Sequence, residues 1–180
     1  MKLPFTKMHG LGNDFVVFDF TQESFPISAD QAAKIADRNF GIGCDQILII
    51  EKSERPEIDF KYRILNADGS EVGQCGNGSR CFALYIHDQK LSDKNPISVE
   101  TITGDMVLNL DTDTNQVTVQ MPVPKFEPVD IPLSVPQRQA SYQLSVDDES
   151  VDFSALSVGN PHAVVPVSYT HLTLPTICSV

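Results

Sequence analysis

The chain has 180 residues, with 13 Lys+Arg against 24 Asp+Glu and a formal net charge of −11. Phosphate backbones and anionic lipid surfaces are held mainly by clustered Lys and Arg, so this balance argues against nucleic acid and against a membrane as partners. With 41% hydrophobic and 21% charged residues, the composition is that of a soluble globular protein able to bury a core, sized for one domain or one and a fraction.

Taken in chain order, Asp14–Phe20 (DFVVFDF) is a β-branched and aromatic run that predicts a strand. Ser28 followed by Gln31 is a capping-box pattern, which predicts a helix through Asn39 with Ala32, Ile35 and Ala36 on one face. Gln46–Glu51 (QILIIE) reads as a second strand, and Ile58, Phe60, Tyr62 and Ile64 alternate as a half-buried third. Ser79–Gln89 is helical in character, yet Cys81, Phe82, Ala83, Leu84, Tyr85 and Ile86 point all the way round. A helix apolar on every side must be enclosed. Strands follow at Ile97–Thr103, Met106–Leu110 and Val117–Met121, separated by Gly104-Asp105 and Asp113-Thr114-Asn115 turns. The expected architecture is α+β, with curved antiparallel strands wrapped about one buried helix.

Five prolines fall between Met121 and Pro136, which marks a crossing between domains. Beyond it, no charged residue occurs from Phe153 to Val180. Asn160, Pro161, His162, Pro166 and Pro175 interrupt that stretch before a membrane span could accumulate. At the other end, Met1-Lys2-Leu3-Pro4-Phe5 lacks the apolar run of a secretory leader, so the expected compartment is the cytoplasm. Cys44, Cys75, Cys81 and Cys178 would stay reduced there. With no C-x-x-C pair and four scattered histidines, no metal site is expected.

No glycine-rich stretch completes G-x-G-x-x-G or a phosphate-binding loop, which argues against a nucleotide cofactor. The stronger signal is Gln74-Cys75-Gly76-Asn77-Gly78 running straight into the enclosed helix. Amide N–H groups and the positive end of the helix dipole converge at such a start. They can bind a carboxylate, and a thiol there ionises more readily, with a pKa of about 3.5–7.5 against about 8.5 when free. From the residues alone, Cys75 stands equally as a reactive thiol or a structural residue, whereas Cys44 and Cys81 read as small buried hydrophobes. Gly12-Asn13-Asp14, Asp45-Gln46, Asn66-Ala67-Asp68-Gly69-Ser70 and Gly159-Asn160-Pro161-His162 are each explained singly by turn chemistry. Together, several neutral amides near one thiol would suit a zwitterionic amino acid.

These residues, in this order, resemble diaminopimelate epimerase. The resemblance runs through Lys7–Phe15, Phe40–Gln46, Asn66–Glu71, Gln74–Cys81 and Gly159–Val164, covering about residues 3–165. It implies a barrel of antiparallel strands around a central helix, followed by a partial second domain of the same kind. It also implies an isomerase that uses no cofactor and works with two cysteines on opposite faces of one carbon. Carried over position by position, Cys75 matches the first catalytic thiol. Asn13, Gln46 and Asn66 match side chains lining the substrate site. Gly76 and Asn77 match backbone donors to the reacting carboxylate, Asn160 matches a contact from the second domain, and His162 is a supporting residue.

The expected partner is a small-molecule amino acid, diaminopimelate, in lysine and peptidoglycan biosynthesis, and a homodimer of a full-length parent stays open. The expected domains are residues 1–120, a crossing and truncated second domain at 121–165, and a tail unlike the family at 166–180. The family's Glu-Arg pair and Cys-Gly-(Ser or Thr)-Gly motif have no counterpart here, and Cys178 has no glycine after it. Little or no epimerisation is therefore expected of the chain alone. Two alternatives remain: a proline or hydroxyproline racemase-like isomerase, and a non-catalytic fragment.

Overall fold

The computed structural model describes residues 2–146 and 149–166, and the chain divides into two compact units, Met1–Pro122 and Val123–Val180. Cys178 and almost all of the tail expected to be unlike the family lie outside the described residues. The first unit runs β1 (Thr6–Gly10), β2 (Asn13–Asp19), α1 (Ala29–Ala36), β3 (Gln46–Lys52), β4 (Phe60–Asn66) and β5 (Glu71–Val72). It continues through α2 (Gly76–Asp88), β6 (Ile97–Thr101), β7 (Gly104–Asp111) and β8 (Gln116–Gln120). Its single sheet has the order β1-β2-β3-β4-β6-β7-β8, with β5 beside β4.

The sheet curls because α2 demands it. Ser79, Cys81, Phe82, Ala83, Tyr85 and Ile86 are all buried, and strands from both ends of the sheet, β1 and β8, pack against this one helix together with β3 and β7. Phe82 sits against Tyr62 and Phe60, with ring centroids 4.5 and 6.3 Å away. The expected α+β arrangement of strands about a central helix is what forms. Two of its pairings are parallel, β2 with β3 and β4 with β6. In each case a helix-bearing crossover returns the chain to the same edge, whereas a hairpin would reverse it.

The same geometry explains the apolar runs. In β2 and β3, Phe15, Val17, Leu48 and Ile50 face α2. Val16, Phe18, Ile47 and Ile49 face the opposite way, into a second core shared with Ala32 and Ala36 of α1. Strands buried on both faces need no polar alternation. In contrast, β7 alternates between exposed and buried from Asp105 onward because its outer face is solvated.

Three local features depart from the sequence reading. The helix α1 opens on the expected Ser28–Gln31 capping box but ends at Ala36, not Asn39. Asp37 leaves helical geometry, and its Oδ1 accepts the N–H groups of Asn39 and Phe40, each at 2.7 Å. The helix α2 begins at Gly76, three residues early, because Cys75 caps it. The strand β1, not foreseen, pairs with β2 across a tight turn in which Leu11 and Gly12 both take positive φ, 55° and 87°.

The second unit is a three-stranded antiparallel sheet in the order β11-β10-β9, built from β9 (Tyr142–Val146), β10 (Glu149–Ser157) and β11 (Pro161–Val164). Ile131, Tyr142 and Ala155 form its small core, with Leu133, Val135 and Phe153 packed against them. Among the described residues, no helix is long and apolar enough to cross a membrane.

Gly78, in the first turn of α2, shows how tightly the barrel closes on the helix. A Cβ there would stand 2.3 Å from Tyr62 Oη and 3.2 Å from Leu48 Cδ2, and both of those side chains are fully buried. Gly78→Ala is expected to destabilise the protein by about 1–3 kcal/mol in urea unfolding. Ala substituted at Gly76, which has nothing within 4 Å of an added Cβ, serves as the tolerated control.

Candidate functional site

One rim of the curled sheet gathers the residues singled out from the sequence. The register pairs Phe15 of β2 with Gln46, and Gln46 with Asn66. Asn13 opens β2 and Gln46 opens β3, while Asn66 closes the antiparallel β4, so the three amides lie along the same edge. Gln46 Nε2 donates to Asn66 Oδ1 at 2.9 Å, and Asn66 Nδ2 donates to Ser70 Oγ at 3.1 Å. Asp68-Gly69 beyond them does serve as turn chemistry, with Asp68 Oδ1 accepting the Ser70 N–H at 2.8 Å and Gly69 at φ 83°.

Cys75 is brought to this rim as the N-cap of α2. Its extended backbone (φ −145°, ψ 107°) turns Sγ back over the first turn, where it accepts the Gly78 N–H at 3.3 Å. The Cys75 carbonyl accepts both the N–H and the hydroxyl of Ser79, at 2.8 and 2.9 Å. Across the site, the thiol stands 3.7 Å from Asn13 Oδ1. Gly76 and Asn77 occupy the first two helical positions, where backbone N–H groups have no partner further back in the helix. The Asn77 side chain accepts a hydrogen bond from Arg80.

Burial is the largest influence on the Cys75 thiol and pushes it up from its ordinary value. The N–H groups of Gly78 and Asn77 and the Arg80 cation pull it down without overtaking that effect, and Asp45 adds to the rise. The sequence reading expected the helix start to depress this thiol, so the direction is corrected: desolvation of a thiolate outweighs the donors that face it. Burial likewise raises Cys44, and raises Cys81 to about 11. Both are buried, and neither is placed to react.

Behind Asn13 lies a cluster that no local motif announced. Asp14 takes Lys7 at 2.7 Å and Arg38 at 2.7 Å, and Arg38 also reaches Asp45 at 2.8 Å. Asp45 in turn accepts the Asn13 side-chain amide at 2.8 Å. Burial pushes the Asp14 carboxyl up, but hydrogen bonds from Arg38 and Lys7 outweigh it and hold the group well below the usual carboxylate range. These partners are separated by up to 32 residues in sequence. The one signal available was that Asp14 and Asp45 each stand beside a predicted site amide.

Asn160 lies in the second unit, at the turn between β10 and β11, where its Oδ1 is 3.0 Å from His162 Nε2. His162 is exposed on β11, whereas Asn160 is half-buried just before it. The first unit thus collects Cys75, Asn13, Gln46, Asn66, Gly76 and Asn77, and Asn160 stands in the second.

Two measurements check this electrostatic picture. Because Asp14 is depressed in the folded state, its contribution is fully present above about pH 4 and is lost as the pH falls toward the folded value. Arg38→Met should therefore lower stability at pH 7 by about 1 kcal/mol and flatten the loss of stability as the pH falls below about 4, read by urea unfolding. Separately, iodoacetamide labelling of Cys75, followed by peptide mass spectrometry, should show a midpoint above the value of about 8.5 for a free thiol.

Residues 5–127 match the family model for diaminopimelate epimerase. The chain is 54% identical over 168 residues to the diaminopimelate epimerase of Nitrosospira multiformis, and 50% identical over 167 residues to that of Teredinibacter turnerae. Each match covers 93% of this chain and 60% of the relative, so the chain spans less than two thirds of the curated relatives it matches. Its fold resembles the crystal structure of a hydroxyproline epimerase from Agrobacterium vitis (TM-score 0.67, 16% identity, 89% of this chain and 50% of the other). It also resembles that of a probable proline racemase from Agrobacterium radiobacter (TM-score 0.68, 14% identity, 91% of this chain and 52% of the other). A family match over most of the chain, at half identity and with the thiol, amides and helix start in one site, means that this chain belongs to the diaminopimelate epimerase family.

Proposed function

We propose that this chain supplies the first domain, and the beginning of the second, of a cytoplasmic, cofactor-independent epimerase that interconverts L,L- and meso-diaminopimelate. The observation that carries this reading is the Cys75 thiol on the first turn of a buried helix, 3.7 Å from a side-chain amide and in a family whose curated members bear that name. Cys75 exchanges the α-proton as acid or base on one face of the carbon. The Gly76 and Asn77 N–H groups receive the substrate carboxylate, where negative charge grows as the proton leaves. Asn13, Gln46 and Asn66 hold the amino acid through uncharged donors and acceptors, which suits a zwitterion, and the family resemblance carries a substrate contact to Asn160.

Inversion needs a second proton carrier on the opposite face. Cys44 and Cys81 are buried and Cys178 lacks the glycine that follows the second family cysteine, so we assign that role to a cysteine in the two fifths of the relatives' length that this chain does not match. A proline or hydroxyproline racemase-like activity is the second reading, supported by fold similarity alone.

Deuterium incorporation from D2O at the α-carbon tests the proposal. The 180-residue chain should show no exchange above background. Fused to the C-terminal part of the Nitrosospira multiformis relative that it does not match, it should exchange diaminopimelate in preference to proline or hydroxyproline, and Cys75→Ser should reduce that rate at least about 100-fold. Turnover by the isolated chain, or a fusion indifferent to Cys75→Ser, would overturn the reading.

A further inference from the structure

Asn13 can present either end of its amide to Cys75, and the two ends have opposite effects. An NH2 group facing sulfur would stabilise a thiolate, whereas a carbonyl oxygen can only accept from a thiol S–H. We propose that Asp45 is a positioning residue that makes this choice: it holds the Asn13 amide with its oxygen toward Cys75 Sγ and so favours the protonated form of that thiol.

The argument starts from the carboxylate. An ionised carboxylate only accepts hydrogen bonds, so the amide nitrogen of Asn13 must be the atom that meets Asp45 Oδ2, at 2.8 Å. That oxygen cannot swing away freely, because it also accepts the Asp14 N–H at 3.0 Å. Its partner oxygen takes Arg38 Nη2 at 2.8 Å. The Asp45 N–H is itself bound, reaching the Asp14 carbonyl at 3.0 Å and Asp14 Oδ1 at 3.1 Å. With the nitrogen end fixed, the Asn13 oxygen is left 3.7 Å from Sγ, a distance that an S–H donor spans. A sulfur anion facing that carbonyl dipole would be repelled.

Other groups face the same thiol: Arg80 and Cys81 from α2, Tyr62 from β4, and Asp45 itself through space. Lys7, Asp14 and Arg38 are engaged with one another or with Asp45. The proposal therefore separates two ways in which Asp45 could act: through the orientation of Asn13, or by its charge alone. It rests on the reading of Cys75 as the proton-exchanging thiol, and its test needs no turnover, so the two can fail independently.

The experiment is a double-mutant cycle on the intact 180-residue chain, reading the pH midpoint of Cys75 alkylation by peptide mass spectrometry. Asp45→Asn frees the Asn13 amide to turn, and the midpoint should fall by about one pH unit. In an Asn13→Ala background, where no amide remains to be turned, the same substitution should lose more than half of that shift. A shift retained by half or more in that background would show that Asp45 acts through space and would overturn the proposal, as would no shift in the single variant. Should Asp45→Asn fail to fold by circular dichroism, Asn13→Ala alone decides. The midpoint should fall when the acceptor is removed, and an unchanged or raised midpoint would refute the assignment.

Discussion

The first unit depends on a single constraint, the burial of α2 around most of its circumference, with the strip of Asn77, Arg80, Leu84 and His87 left partly open. A narrow apolar stripe can lie on a flat sheet, but Phe82, Ile86, Ala83 and Tyr85 spread too far round α2 for one flat sheet to cover them. The sheet must therefore curl until strands from both of its ends reach the helix, which is what β1 and β8 do. Once that happens, the N-terminus of α2 is fixed at one mouth of the curl, and the residue that caps it becomes the centre of whatever chemistry the mouth supports. Burial of one Phe side chain contributes about 1.5–3 kcal/mol, so the aromatic contacts of Phe82 with Tyr62 and Phe60 anchor that placement.

Charge is arranged in layers around the site. Beside Cys75, the matched residues Asn13, Gln46 and Asn66 are neutral amides. Behind them, Lys7, Asp14, Arg38 and Asp45 pair with one another. This places opposite charges where they compensate each other and leaves dipoles, which can both donate and accept, for a ligand bearing an ammonium and a carboxylate. The cluster also joins β1, β2 and the segment leading into β3, so the rim residues are held by ion pairs as well as by the sheet.

How much of this the sequence discloses follows from the range of each interaction. The strands β2 and β3 were legible because burial on two faces produces unbroken apolar runs, and α2 because its apolar residues go all round. Strand β1 was not, since Thr6-Lys7-Met8-His9-Gly10 alternates only between intermediate and exposed positions, and its hairpin turn carries Leu11 where Asn or Asp would have been a signal. The site amides emerged as a set of turn-like motifs whose resemblance to one family joined them. The link from Asp45 through Asn13 to Cys75 did not, because it is a contact between residues brought together only by parallel register. The state of the thiol is hidden from the sequence for a related reason: a helix start is local and visible there, whereas burial is a property of the whole curl.

The order of strands around α2 has a consequence for how the chain is made. β1 leads the chain, but β7 and β8, which close the other side of the helix, end only at Gln120. A ribosome adding about 5–20 residues per second takes roughly two to six seconds to travel from Asp88 to that point. During that interval α2 has emerged or is emerging without two of the strands that cover it. Its protection in the cell at that stage falls to chaperones or to the nascent sheet already formed from β1 to β4.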